Sequence, residues 1–417
     1  MNAPQASTQG HWLPIEAGEG ERFDAYLAIP ACGDGPGLLL CQEIFGVTAD
    51  MRRMADLFAE EGYVVVVPDL FWRLSPRVEL SHDDAGIARA LQLSASLDVE
   101  RALSDIDATV AALRAHPACK GRIGVLGHCL GGRLAVLAAA RGGVDCAVSY
   151  YGVGIEKVLD RLSAVQVPMV LHYAGADRFV PPAAVEAVRA HVGARADVEI
   201  HVYPDVAHGF ANPARASYDK AAADMAHTRT IALLRRVMGP RYDLSALWEA
   251  HRACEFVTRD AAATMRTMVA EPYVNHIPTM TGGYGHRHLH RFYRDHFIPT
   301  SPKDIRSLPI SRTIGVDRVV NEVLISFTHD CEVEWMLPGV APTGKRVEVA
   351  LVGIITFRGD KLAHEHIYWD QASVLVQLGL LDPKGLPVAG AESARKVIDP
   401  SIPSNTLMPT WKEVVHD

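Results

Sequence analysis

Three residues on three separate stretches of this chain have the types and the order needed for nucleophilic catalysis: Cys129, Asp177 and His208. Cys129 is the centre of Gly127-His128-Cys129-Leu130-Gly131, between the aliphatic run 123–126 and an Ala/Leu-rich segment that ends near Ala140. A strand that turns into a helix between two glycines puts the central residue in a strained backbone conformation, with its side chain exposed over the helix N-terminus. The positive end of the helix dipole favours a thiolate there, and sulfur is a stronger nucleophile than a hydroxyl. Asp177 and His208 each follow a further strand-like run, 168–173 and 198–203. A histidine so placed would take the thiol proton and later protonate the leaving group, while the aspartate fixes its tautomer and orientation. Asp205 is the rival acid, though it lies close in sequence to His208. A buried cysteine, a turn aspartate and a loop histidine are each ordinary when taken singly. Three of them at three strand ends, in this order, are not.

Such residues need a scaffold that brings strand ends together, and the first half of the chain has the pattern for one. Residues 23–29 alternate like an edge strand, 37–41 read as a buried strand, 49–61 have helical periodicity stopping at Gly62, and 63–68 (YVVVVP) are again a strand. A polar, irregular stretch covers 72–85, an amphipathic helix 99–115 leads into the 123–126 strand, and 145–151 is the next strand. This alternation predicts an α/β doubly wound, mostly parallel sheet with helices on both faces and ligands at the carboxyl ends of the strands. The order nucleophile, acid, base is that of the α/β-hydrolase fold.

The segments Gln42-Glu43-Ile44-Phe45-Gly46, Pro68-Asp69-Leu70-Phe71, Gly127-His128-Cys129-Leu130-Gly131-Gly132, Tyr150-Tyr151-Gly152-Val153-Gly154 and Ala207-His208-Gly209-Phe210 resemble the dienelactone hydrolase (carboxymethylenebutenolidase) family. The resemblance runs over about residues 10–240. It implies a carboxylic ester hydrolase that opens an enol-lactone ring from aromatic degradation through a Cys-His-Asp triad and a covalent acyl-enzyme. It also implies that Glu43 holds the resting thiol and yields when substrate arrives. The backbone N–H groups of Leu130 and Ile44 are the expected oxyanion donors. One departure stands out. The substrate-binding arginine expected just after the histidine is replaced by Asn212, with Arg215 three positions later, and Arg89 does not fall in register for a second one.

A boundary is expected near 238–244, giving a short disordered lead over 1–10, a hydrolase domain over 11–240 and a second domain over 245–410. Asp243 or Ser245 would N-cap a helix over 247–268. Strand-like runs at 318–328, 331–337, 347–357 and 364–370 precede a helix-like 372–380, an α+β pattern with a curved antiparallel sheet. The stretch HEHIYWDQASVLVQLGLL is similar to SnoaL-like members of the nuclear-transport-factor-like cone fold. That resemblance implies a pocket with Asp370 as acid/base and His366 beside it, and a sheet through which such domains often form homodimers. A binding or bifunctional protein, in which this domain binds or isomerises a cyclic or polyketide-like molecule, is the alternative reading. His286 and His290 are four apart and would share a helix face, but no acidic third ligand accompanies them and Arg287, Arg291 and Arg294 oppose a cation, so neither a metal nor a cofactor is expected.

Composition narrows the classes further. The 417 residues exceed what one core usually organises, and 49% hydrophobic with 22% charged is a globular balance. Seven cysteines without CxxC pairs argue for a reducing, cytoplasmic setting and against a disulfide framework. A net charge of −8 with no basic run speaks against nucleic acid, and no apolar run approaches membrane-spanning length.

Overall fold

Eight strands of the first half form one sheet: β1 (His11–Glu16), β2 (Arg22–Ala28), β3 (Gly35–Cys41), β4 (Val64–Pro68), β5 (Cys119–His128), β6 (Cys146–Tyr150), β7 (Met169–Ala174) and β8 (Val198–Tyr203). Their spatial order is β1-β2-β4-β3-β5-β6-β7-β8. The β1–β2 and β2–β4 pairs are antiparallel and every pair from β4 to β8 is parallel. The structure is a computed structural model that describes residues 10–411, so all of the expected lead except Gly10 lies outside the described residues. The chain divides into two units, Met1–Arg241 and Tyr242–Asp417.

The parallel strands read as continuous apolar runs because helices cover both faces; all five residues of β4 are buried. Those helices are α1 (Ala49–Glu60), α2 (Asp84–Ser96), α3 (Val99–Ala115), α4 (Leu130–Arg141), α5 (Leu159–Leu162), α6 (Pro182–Val192) and α7 (Lys220–Met238). Local chemistry fixes their starts. Thr48 accepts a hydrogen bond from the Met51 N–H, Asp98 from Glu100 and Arg101, and Asp219 from Ala222. Glu61, at the end of α1, is buried and paired at 2.7 Å with Arg235 of α7 and at 3.1 Å with His227. The strand expected at the sheet edge, β2, is the second strand in. β1 lies outside it and was hidden in the sequence by Pro14 and by a pattern without strict alternation.

The second unit is α+β. It contains α8 (Leu244–Phe256), α9 (Ala261–Arg266), β9 (Met268–His276), β10 (Thr281–Tyr284), α10 (His286–Arg291) with a π-helical turn Phe292–Phe297, β11 (Arg306–Ile314), β12 (Arg318–Thr328), β13 (Arg346–Arg358), β14 (Lys361–Trp369), α11 (Gln371–Leu378) and α12 (Ala391–Ile398). The sheet order is β10-β9-β14-β13-β12-β11, antiparallel except for the parallel β14–β9 pair. The single helix expected over 247–268 is broken. Asp243 caps α8, Arg259 takes a positive φ of 52°, and Asp260 accepts from the Ala263 N–H to start α9. The expected strand 331–337 is a series of turns, and its apolar character comes from burial of Val333, Trp335, Met336 and Leu337 in the core.

Candidate active site

β5 ends at His128 and α4 begins at Leu130, leaving Cys129 alone between them at φ 55°, ψ −116°, and its side chain, expected to be exposed, is buried among the neighbouring strand ends. Few residues with a side chain hold that conformation, and packing enforces it here. A Cβ on Gly127 would lie 2.0 Å from the Gly131 carbonyl oxygen, and one on Gly131 would lie 2.4 Å from the Cys41 oxygen. Both glycines are therefore required for strand and helix to approach this closely. The Cys129 N–H donates to the Tyr150 carbonyl at 3.0 Å, which pins the elbow to the neighbouring strand.

Asp177 follows β7 and His208 follows β8, as their sequence positions indicated. The His208 Nδ1 lies 2.7 Å from Asp177 Oδ2, and both side chains are buried. Asp177 Oδ1 accepts from the Phe179 and Val180 N–H groups, so the carboxylate is fixed on both oxygens. Asp205, the rival acid, is exposed. Cys129 is near enough to His208 to act on its charge state. Burial by itself would lower the His208 pKa, but the hydrogen bonds and charges of Asp177 and Cys129 outweigh it and raise it to about 10. His128, next to the sulfur in sequence, is fully buried against Tyr150, and burial lowers its pKa to about 3.

Glu43 follows β3 and is buried at 3% exposure. Its Oε2 is 3.7 Å from Arg215 Nη1, and the Tyr151 hydroxyl donates to its Oε1 at 3.5 Å. Arg215 also lies over the Phe45 ring at 5.1 Å, and the His82 ring meets Phe45 edge-on. Arg215 thus reaches the site from beyond the register position that Asn212 occupies, whereas Arg89 is exposed on α2 against Gln92. Tyr151 is a contributor that sequence reasoning passed over. It has φ 39°, and burial first, then the charges of Glu43 and Cys129, push its pKa well above 10. Ile44 sits in the loop after β3, and Leu130 is the first residue of α4, whose leading N–H groups have no partner within the helix.

Residues 23–238 match the family model described as the dienelactone hydrolase family. The chain belongs to the dienelactone hydrolase family. It is 38% identical over 226 residues to the carboxymethylenebutenolidase of Pseudomonas sp. (strain P51), an alignment covering 54% of this chain and 94% of that protein. Carboxymethylenebutenolidase 1 of Cupriavidus pinatubonensis is 36% identical over 232 residues, covering 55% and 97% respectively. A solved dienelactone hydrolase-like structure from Klebsiella pneumoniae, described as putative, is 28% identical with a TM-score of 0.49, covering 54% of this chain and 98% of that one. This member of the dienelactone hydrolase family is a hydrolase acting on esters or lactones, built on an α/β-hydrolase fold with a mixed sheet.

The second unit departs from the sequence expectation at its site residues. Its cavity, about 180 Å³, is walled by Trp248, Phe297, Trp335 and aliphatic side chains, with Glu255 and Glu365 on its surface. Asp370 is exposed and instead caps α11, accepting from the Ser373 N–H at 3.1 Å. Alternation along β14 was read correctly, with Glu365 opposite His364 and His366, but the face that turns inward is that of Glu365 and Ile367. His366 packs against Tyr273 and His364. The rings of His286 and His290 stack on one face of α10, as their spacing indicated.

Proposed function

We propose that the first unit hydrolyses an enol-lactone or activated ester through an acyl-enzyme on Cys129. The observation that carries this reading is the position of His208, bonded through Nδ1 to Asp177 at 2.7 Å and electrostatically coupled to Cys129 at the elbow. The Cys129 thiolate attacks the carbonyl carbon, and the developing oxyanion is met by the Leu130 and Ile44 N–H groups. The C–O bond then breaks, and the leaving enolate takes the proton from the His208 imidazolium. Water, deprotonated by the same ring, attacks the thioester and releases the acid with the thiol restored. A stabilised enolate suits this chemistry, because it leaves readily when displaced by sulfur.

The relatives named carboxymethylenebutenolidase support a lactone that carries a carboxylate. Arg215 supports it as well, being the cation within reach of Glu43. A substrate carboxylate that engages Arg215 competes with Glu43 for it, so substrate arrival loosens Glu43 and changes the charge beside the nucleophile. For the second unit, the aromatic-walled cavity favours the SnoaL-like reading, a domain that holds a small organic molecule. The test is steady-state kinetics with carboxymethylenebutenolide and p-nitrophenyl acetate. Cys129→Ala is expected to lose at least about 10³-fold in kcat/KM on both, and Arg215→Met to raise KM for the lactone far more than for the uncharged ester. Wild-type turnover by Cys129→Ala would overturn the nucleophile assignment.

A further inference from the structure

We propose that His251, Glu255 and Glu365 form a binding site for a divalent transition-metal ion that opens on the cavity of the second unit. His251 and Glu255 stand four residues apart on α8 and so share a face, and Glu365 faces them from β14. All three are buried, and their ligand atoms lie within 4.8 Å of one another.

The histidine identifies the cluster as more than an ion pair. Its Nδ1 is 2.6 Å from the Thr267 hydroxyl, and that hydroxyl donates its own hydrogen to the Thr264 carbonyl at 2.6 Å. The Thr267 oxygen therefore accepts from Nδ1–H, and Nε2 is the nitrogen turned toward Glu255 and Glu365. Nε2 is 3.2 Å from Glu255 Oε1 and 3.2 Å from Glu365 Oε1, an ion-pair distance from both, yet it makes no hydrogen bond with either. One nitrogen and two carboxylate oxygens thus converge on a point between them. For bonds of about 2.0 Å to a tetrahedral metal, neighbouring ligand atoms stand about 3.3 Å apart, close to both spacings found here.

Charge supports the same reading. Two buried carboxylates close together are costly unless cations compensate them, and the single positive charge that His251 can carry would leave the group net negative. A divalent ion with a neutral histidine makes the group electrically neutral. An imidazole fixed through its other nitrogen, with a tyrosine hydroxyl (Tyr293) donating to Glu365 at 3.4 Å, is the outer arrangement that orients metal ligands. Glu255 and Glu365 line the cavity, so a fourth coordination position faces it. Imidazole with carboxylates suits zinc, iron(II) or manganese, and zinc binds most tightly of the three.

The site is independent of the hydrolase reading, and metal binding to the full chain tests it. Protein stripped with a chelator is titrated with ZnCl2 by calorimetry, and with CoCl2 by visible absorption. One site per chain with micromolar or tighter zinc affinity is expected, with cobalt d–d bands of a four- or five-coordinate centre. Glu365→Gln and Glu255→Gln should each weaken binding at least about 100-fold, and Thr267→Val, which leaves all three ligands in place, about 10- to 100-fold. A double His286→Asn, His290→Asn variant should bind as the wild type does. No zinc binding tighter than about 1 mM, binding that persists in the Gln variants, or binding that is lost with His286 and His290 would each overturn the proposal.

Discussion

Cys129 differs from the chain's other cysteines by its setting. Burial pushes the Cys146 thiol up to about 12 and the Cys41 thiol higher still, so both stay protonated and unreactive at neutral pH. Cys129 is electrostatically coupled to His208 and has a backbone that presents the sulfur at a strand end. Asp177→Asn keeps the hydrogen-bonding shape but removes the charge, and kcat for p-nitrophenyl acetate is expected to fall by about 10⁴-fold with little change in KM. The raised pKa of His208 has a stability consequence with a definite sign. The folded state binds this proton more tightly than the unfolded chain, whose histidine titrates near 6.5, so the contribution is complete below about pH 6.5 and is lost as pH rises through about 10. Denaturant titrations at pH 6, 8 and 10 should show declining stability, with a shallower decline in Asp177→Asn. Cys129, Asp177 and His208 stood out in the sequence because each follows a strand-like run. The approach of Arg215 to Glu43 did not, because a series of turns after His208 brings it there from outside the expected register.

At the level of elements, the elbow and the sheet around it decide whether the sulfur is presented at all. Gly131→Ala would drive a methyl group into the Cys41 carbonyl, so either β3 or α4 must move. The expected outcome is a lower melting temperature together with loss of ester hydrolysis, whereas Gly142→Ala at the end of α4, where nothing lies within 4 Å, should lower stability through backbone strain alone and keep the activity. The Glu61–Arg235 pair ties α1 to α7 inside the first unit. Glu61→Ala leaves a buried guanidinium partly uncompensated and should cost about 3–5 kcal/mol in a chemical unfolding measurement. Most elements of the first unit were legible because buried parallel strands are plain apolar runs between helices with clear caps. The second unit was harder. Alternation along 364–370 separates two faces but does not say which one is inside, and the apolar run 331–337 resembles a strand although its residues are buried in turns. The His251–Glu255 spacing gave no signal of its own, since a His and a Glu four apart occur on many helices and only Glu365, more than a hundred residues later, gives the pair its meaning.

For the whole molecule, the family match lies entirely within the first of two units, and the relatives are covered almost over their full length by about half of this chain. A fragment comprising 1–241 should therefore hydrolyse p-nitrophenyl acetate with kcat/KM within a few-fold of the full chain. Among the described residues no helix is long and apolar enough to cross a membrane. Division into an α/β unit and an α+β unit could be read from the switch between alternating and segregated elements near residue 240. The most direct test of the proposed mechanism is peptide mass mapping of full-length enzyme acid-quenched during turnover of p-nitrophenyl acetate. A thioester mechanism predicts an acetyl group on the peptide carrying Cys129, accumulating on the timescale of turnover and absent from Cys129→Ala. Continued turnover with Cys129 unmodified and the acetyl group on another residue would contradict it.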